Sequence, residues 1–183
     1  MSTPTLLTIS GALRDGSTNT KLLLEAVRLF GESHHVAADI RFPLYDGDAE
    51  AAEGVPAAVQ TVADQIAAAD AVLISTPEYN SGPSGVLKNA LDWISRTEGN
   101  PWAGKPVAVM SAAAGRAGGA LAQAQLRSLM VPFRTRLLQG PQVRLAGSGS
   151  QFDENGHLTG EMYIKDLTAL MDGLREEIAR QAA

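Results

Sequence analysis

Ala71-Val72-Leu73-Ile74-Ser75-Thr76-Pro77-Glu78-Tyr79-Asn80-Ser81-Gly82-Pro83-Ser84-Gly85-Val86-Leu87-Lys88-Asn89-Ala90-Leu91-Asp92-Trp93-Ile94-Ser95 is the stretch that decides the fold. Its first five residues form an apolar run without alternation, which reads as a strand buried on both faces. Pro77 holds the chain extended as it leaves the strand, and a polar turn follows. From 84 to 95, Val86, Leu87, Ala90, Leu91 and Ile94 recur at helical spacing. Strand, polar loop and helix make half of a βαβ unit, and open α/β sheets keep their ligands at the C-terminal ends of such strands.

Outward from this unit the alternation repeats. Residues 5–10 read as a first strand stopped by Gly11, and Leu22, Leu23, Ala26, Val27, Leu29 and Phe30 place a helix over 19–30. A weaker second strand is expected over 36–42, then a long acidic loop over 43–54 and a helix over 56–69, with Pro56 early enough that its missing N–H costs nothing. Strand four is read at 106–112, a helix at 120–130, a fifth strand at 135–138 and a last helix at 161–181. The Gly, Ser, Asp and Asn-rich patch 147–160 is too short to separate domains, so residues 1–183 are expected to form one domain. Strands interleaved with helices imply right-handed crossovers and a parallel sheet covered on both faces, a three-layer α/β/α sandwich. Two strand orders compete, the longer dinucleotide-binding one and the five-stranded flavodoxin-like 2-1-3-4-5, and the strand count favours the second.

Composition narrows the function. The chain has 183 residues, 45% hydrophobic and 19% charged, with a net charge of −5, as in an ordinary globular protein without a concentrated basic face. Nucleic acid is therefore a poor partner. Cysteine is absent, which removes disulfides, thiol catalysis and thiolate metal sites. Residues 1–5 show no secretory leader and no run reaches membrane-spanning length, so a cytoplasmic protein away from membranes is expected. His34, His35 and His157 lack metal-ligand spacing, and Gly82-Pro83-Ser84-Gly85 lacks the register of a nucleophile elbow. Chemistry, if there is any, has to come from a cofactor.

Three loops carry the candidate chemistry. In the first, Gly11-Ala12-Leu13-Arg14-Asp15-Gly16-Ser17-Thr18-Asn19-Thr20, a phosphate at the helix start would meet free N–H groups, the Ser17, Thr18 and Thr20 hydroxyls, the Asn19 amide and the Arg14 charge. The same residues also suit a plain helix cap with a solvated arginine. The loop is neither a Walker A nor a G-x-G-x-x-G motif. In the second loop, the N–H groups of Glu78, Tyr79, Asn80, Ser81 and Gly82 suit the acceptor edge of a flat ring such as an isoalloxazine. Tyr79 can lie against that ring and Asn80 can bond its rim, although an ordinary surface turn also explains both. Glu78 reads as a capping or bracing residue rather than a catalyst. In the third, residues 111–119, small residues allow close approach of a ring and Arg116 can meet a nicotinamide dinucleotide phosphate, with a flexible turn as the other reading. Trp93 and Trp102 fit either the core or a subunit interface.

With these loops identified, the chain resembles the NADPH-dependent FMN reductase family of flavodoxin-like fold, which includes chromate, quinone and azo-dye reductases. The resemblance spans nearly the whole length. The family's G-S-x-R-x-x-S-x-N stands here as residues 11–19, with Ala12 replacing the usual serine and losing its hydroxyl, and P-E-Y-N followed by L-K-N-A-x-D-W is matched at 77–80 and 87–93. The third signature, a serine strand end and a glycine-rich turn, is similar to residues 111–119. The resemblance implies that Arg14, Ser17, Asn19 and Thr20 hold the FMN phosphate. It further implies that Pro77, Glu78, Tyr79, Asn80, Ser81 and Gly82 line the isoalloxazine, and that Ser111 and Gly115 close the other side. It also implies a homodimer or homotetramer, no catalytic residue beyond the flavin, and electron transfer from NADPH or NADH through FMN to a small acceptor. The alternative is a flavodoxin-like carrier reduced by a protein partner. Such carriers tend to be strongly acidic near the flavin, and here the second loop offers only Glu78.

Overall fold

The computed structural model describes residues 3–182; Met1 and Ser2, part of the stretch read for a leader, lie outside it. Strands β1 (Thr5–Ser10), β2 (His34–Ala37), β3 (Ala71–Thr76), β4 (Pro106–Ala112) and β5 (Arg136–Leu137) form a parallel sheet in the order β2-β1-β3-β4-β5. The flavodoxin-like order is thus the observed one. Every residue of β3 and β4 is buried, as their unbroken apolar runs require of central strands covered by helices on both faces.

Neighbouring residues along a strand serve opposite cores. Leu7, Ile74 and Val109 face a cluster with α3 (Ala57–Ala68), α4 (Gly85–Ile94) and α5 (Ala120–Met130), whereas Leu6, Leu73 and Ala108 face one with α1 (Thr18–Phe30) and α6 (Glu161–Ala182). The two-residue period of a strand does this by itself. Trp93 and Trp102 both belong to the first cluster and are buried, which decides between the two readings of these tryptophans in favour of core.

Three elements differ from expectation. The second strand occupies His34–Ala37 rather than 36–42, because Ala38 N–H makes the last bond to β1, at Thr8 O (2.9 Å), before the Asp39 carboxylate accepts from Arg41 N–H and turns the chain away. Ile40 is buried from a loop, and its burial produced the strand-like pattern. The acidic stretch contains a short helix, α2 (Gly47–Glu53), capped by the Asp46 carboxylate at Asp48 and Ala49 N–H; none of its residues is buried, so it has no apolar stripe to read. The fifth strand is broken: after Leu138 the chain leaves the edge and returns as β6 (Arg144–Leu145), which pairs with the C-terminal end of β4.

Candidate active site

The C-terminal ends of β1, β3 and β4 converge on a cleft of about 490 Å³, within the range of small-molecule and cofactor sites. The first loop forms one end. Gly11 continues the β1–β3 pairing through its N–H to Ser75 O (2.8 Å), and a side chain there would stand only 3.1–3.2 Å from Ser84 Oγ, Ser75 O and Thr76 Oγ1. Gly16 turns the chain with φ +67°, and Ser17 caps α1 by accepting from Asn19 N–H at 3.2 Å. This brings the α1 N-terminus, Arg14, Thr18 and Lys21 to the cleft wall. Neither Arg14 nor Lys21 has a carboxylate partner among the described residues.

The second loop forms one side. Pro77, Glu78 and Tyr79 line the cleft, and beyond them the chain makes a two-residue hairpin turn. Tyr79 N–H donates to Gly82 O (3.0 Å) and Gly82 N–H to Tyr79 O (3.1 Å), with Asn80 and Ser81 both left-handed at φ 49° and 64°. Two of the five N–H groups expected to face a ring are therefore spent inside the turn. The tip is tied down by Gln125, which donates to Ser81 O at 2.8 Å. Glu78 braces the frame: its Oε2 accepts from the N–H groups of Leu121 (2.9 Å) and Ala122 (3.1 Å) at the start of α5. Its negative charge sits at the positive end of that helix.

The opposite side differs from the sequence reading. Ser111 is fully buried, its hydroxyl donating to Gly118 O (2.7 Å) and accepting from Gln123 Nε2 (3.2 Å), so it holds the glycine turn against β4 instead of facing the cleft. The wall is made by Ala112, Ala113 and Ala114, and by Ser148 and Gly149 from the 147–160 patch, where Ser148 Oγ accepts from Thr18 Oγ1 at 3.0 Å. That patch reaches the cleft because Glu25, buried in α1, anchors it. Glu25 accepts from His157 Nδ1 (3.1 Å), Leu158 N–H (3.3 Å) and Arg28 (2.8 Å). Burial pushes the Glu25 carboxyl up, but the bonds from Arg28, His157 and Leu158 outweigh it and hold the group below the usual carboxylate value.

Of the residues singled out from sequence, Arg14, Ser17, Asn19, Pro77, Glu78 and Tyr79 therefore share the cleft wall. Thr20 instead bonds Ser10 Oγ (2.9 Å) and lines a neighbouring cleft of about 440 Å³ on the far side of the loop, while Asn80, Ser81 and Gly82 form the hairpin rim. Gly115 and Arg116 are exposed in the turn after β4, outside the wall. Lys21, a second cation in the first turn of the helix that follows Arg14, is legible in the sequence. Ser148 and Gly149 carried no local signal.

Residues 4–149 match the sequence profile described as NADPH-dependent FMN reductase. The chain belongs to that family. An NAD(P)H-dependent FMN reductase of Pseudomonas aeruginosa is 45% identical over 155 residues, 84% of this chain and 83% of that one. The quinone reductase of Escherichia coli is 36% identical over 181 residues, 96% and 95% of the two chains. Among solved structures, the flavoenzyme NAD(P)H:(acceptor) oxidoreductase FerB from Paracoccus denitrificans superposes with a TM-score of 0.86 at 33% identity, covering 97% of this chain and 98% of that one. As a member of the FMN reductase family the protein is an oxidoreductase that works with FMN and NAD(P)H.

The cleft fits such a cofactor on its own chemistry. Both cations of the wall lie at the α1 end, where a phosphate gains from the helix N-terminus as well. The wall's one carboxylate without a cationic partner, Glu78, is committed to α5. Ala112, Ala113 and Ala114 leave room for a flat ring beside the backbone. No described helix is long and apolar enough to cross a membrane, and no described cluster of His, Asp and Glu suits a metal ion.

Proposed function

We propose that residues 1–183 form a single FMN-binding domain that passes electrons from NADPH or NADH to a small acceptor: a quinone, a flavin, an azo compound or chromate. The observation that carries this reading is the polarity of the cleft, with Arg14 and Lys21 at one end and a slot between Pro77, Glu78 and Tyr79 on one side and three alanines on the other. In this reading Arg14, Lys21 and the α1 N-terminus hold the phosphate, while Ser17 acts through its cap, Thr18 through Ser148 and Thr20 through Ser10. When bound there, FMN would supply the two-electron redox chemistry between nicotinamide and acceptor, for which we propose a ping-pong order. Tyr79 is 57% exposed at the mouth, where it shields the ring from water and offers a face to an incoming planar substrate. Asn80, Ser81 and Gly82 extend that rim. In the same reading Ser111 supports the far wall from behind, and the exposed Gly115 and Arg116 lie beyond it, Arg116 being our candidate for the nucleotide phosphate that distinguishes NADPH from NADH. The acceptor and nucleotide are the small-molecule partners of a cytoplasmic homodimer or homotetramer.

The experiment is to purify the protein, record its visible flavin spectrum and mix it anaerobically with NADPH. Bleaching is expected. A bound flavin that NADPH and NADH both fail to bleach sinks the enzyme reading and leaves the electron carrier. With a quinone as acceptor, parallel double-reciprocal plots support the ping-pong order and intersecting ones exclude it.

A further inference from the structure

Asn19 lines the cofactor cleft, yet both acceptor positions and one of the two N–H donors of its carboxamide are used inside the protein. The residue is 3% exposed. Its Oδ1 accepts from Ser75 Oγ (2.8 Å) and from Ala112 N–H (3.0 Å), and its Nδ2 donates to Ala112 O (3.0 Å). Ser75 stands one residue before the end of β3, Ala112 is the last residue of β4, and Asn19 lies in the first turn of α1 after β1. One side chain thus ties the first turn of α1 to the ends of two of the three strands whose loops build the cleft.

We propose that Asn19 is a positioning residue, a clamp that fixes the distance between the phosphate end and the ring end of the cleft, and that its side chain is not a phosphate ligand. This rests on the flavin reading given above. The chemistry selects a carboxamide. Ala112 presents one carbonyl that needs a donor and one N–H that needs an acceptor, and Ser75 presents one hydroxyl; Asn supplies both kinds of group in one plane. A carboxylate cannot donate to Ala112 O, and alanine reaches none of the three. Ser75 and Ala112 are themselves buried, so loss of the amide leaves polar groups without water or partner, and the cheapest relief is for α1 to move away from β3 and β4. Such a movement widens the cleft along its whole length rather than at the phosphate alone.

The test compares FMN with riboflavin, which carries the same ring without the phosphate. Both are titrated by fluorescence into the full chain stripped of flavin, for wild type, Asn19→Ala, Asn19→Asp, Ser75→Ala and Arg14→Ala, each below its own melting transition. The clamp predicts that each of Asn19→Ala and Ser75→Ala weakens FMN and riboflavin by equal factors, about tenfold for Asn19→Ala, which loses three buried hydrogen bonds, and less for Ser75→Ala, which loses one. Asn19→Asp keeps the two acceptor bonds but sets a carboxylate oxygen against Ala112 O and a negative charge at the phosphate end, so it weakens both flavins and FMN the more. Arg14→Ala weakens FMN and spares riboflavin. If Asn19→Ala weakens FMN alone, Asn19 is a phosphate ligand and the clamp is wrong. If it lowers the melting temperature while both dissociation constants stay unchanged, its role is in folding only and the clamp is equally wrong. Should Asn19→Ala not fold, Ser75→Ala, which lies outside the cleft wall, carries the same comparison. A wild-type chain that binds neither flavin overturns the flavin reading and the clamp with it, whereas the other adverse patterns overturn the clamp alone.

Discussion

Arg14 and Glu78 both line the cleft and show how differently two charges are used. Arg14 has no carboxylate partner among the described residues, so its charge is available to an anion; Glu78 is bonded to two helix N–H groups. Glu78→Ala is expected to cost about 1 kcal/mol of stability, the typical worth of an N-terminal cap, and urea unfolding with and without FMN will measure it. Gly118 is the sharper case. It has φ +60°, and a Cβ there would overlap the Arg144 carbonyl and come within 3.0 Å of Ala146 N, backbone atoms of the strand segment beside it. Gly118→Ala should therefore destabilise by about 2 kcal/mol or more, whereas Gly115→Ala, which meets nothing within 4 Å, should stay within about 0.5 kcal/mol. Equal effects of the two substitutions in thermal melts would refute this reading of the turn. Much of the residue level was legible beforehand: the Arg14 and Pro77 to Tyr79 positions follow from motif and loop composition. The orientation of Ser111 is not legible in the sequence, because a serine at a strand end looks the same whether its hydroxyl faces a ligand or a neighbouring turn. Only the position of Gly118 O and Gln123 settles that.

Among the elements, α1 does the most to organise the site. Its first turn presents the phosphate end, and its third turn carries Glu25, whose 1% exposed carboxylate pins the patch that supplies Ser148 and Gly149. Glu25→Gln keeps the shape but loses the charge opposite Arg28 and His157. It should cost about 2 kcal/mol, between the values for an exposed and a fully buried ion pair because Arg28 is half exposed. Limited proteolysis within 150–158 should become faster in that variant, and an unchanged rate would show that other contacts hold the patch. This link was invisible in the sequence, since Glu25 and His157 are 132 residues apart and each alone reads as a solvated polar residue. The elements themselves were read well where they are buried on two faces, as β3 and β4 are. They were read poorly where one face meets solvent: edge strand β2 and helix α2 lack the burial that writes a period into the sequence.

For the whole molecule, ligand and proton both act through linkage. Flavin that binds only the folded chain should raise the melting temperature, with about 2.7 kcal/mol added at an FMN concentration of about 100 Kd. Acid should remove the Glu25 contribution. Its folded value lies below the ordinary 4.5, so the stabilisation is complete above pH 4.5 and is lost as the pH falls below it through the depressed folded value. The difference in stability between wild type and Glu25→Gln should accordingly shrink below pH 4.5 and stay constant from there to neutrality; a difference that persists in acid would mean that packing, not charge, carries the effect.

By itself the sequence determined the alternation of strand and helix, the order of the sheet and the three loops that converge on one cleft, because apolar periodicity and crossover handedness are local rules. Tertiary structure alone decided which polar side chains face that cleft. Asn19 bonds partners 56 and 93 residues away, Ser111 partners 7 and 12 residues away and Glu25 partners up to 133 residues away, and whether a donor is free or committed depends on where the fold puts its nearest acceptor.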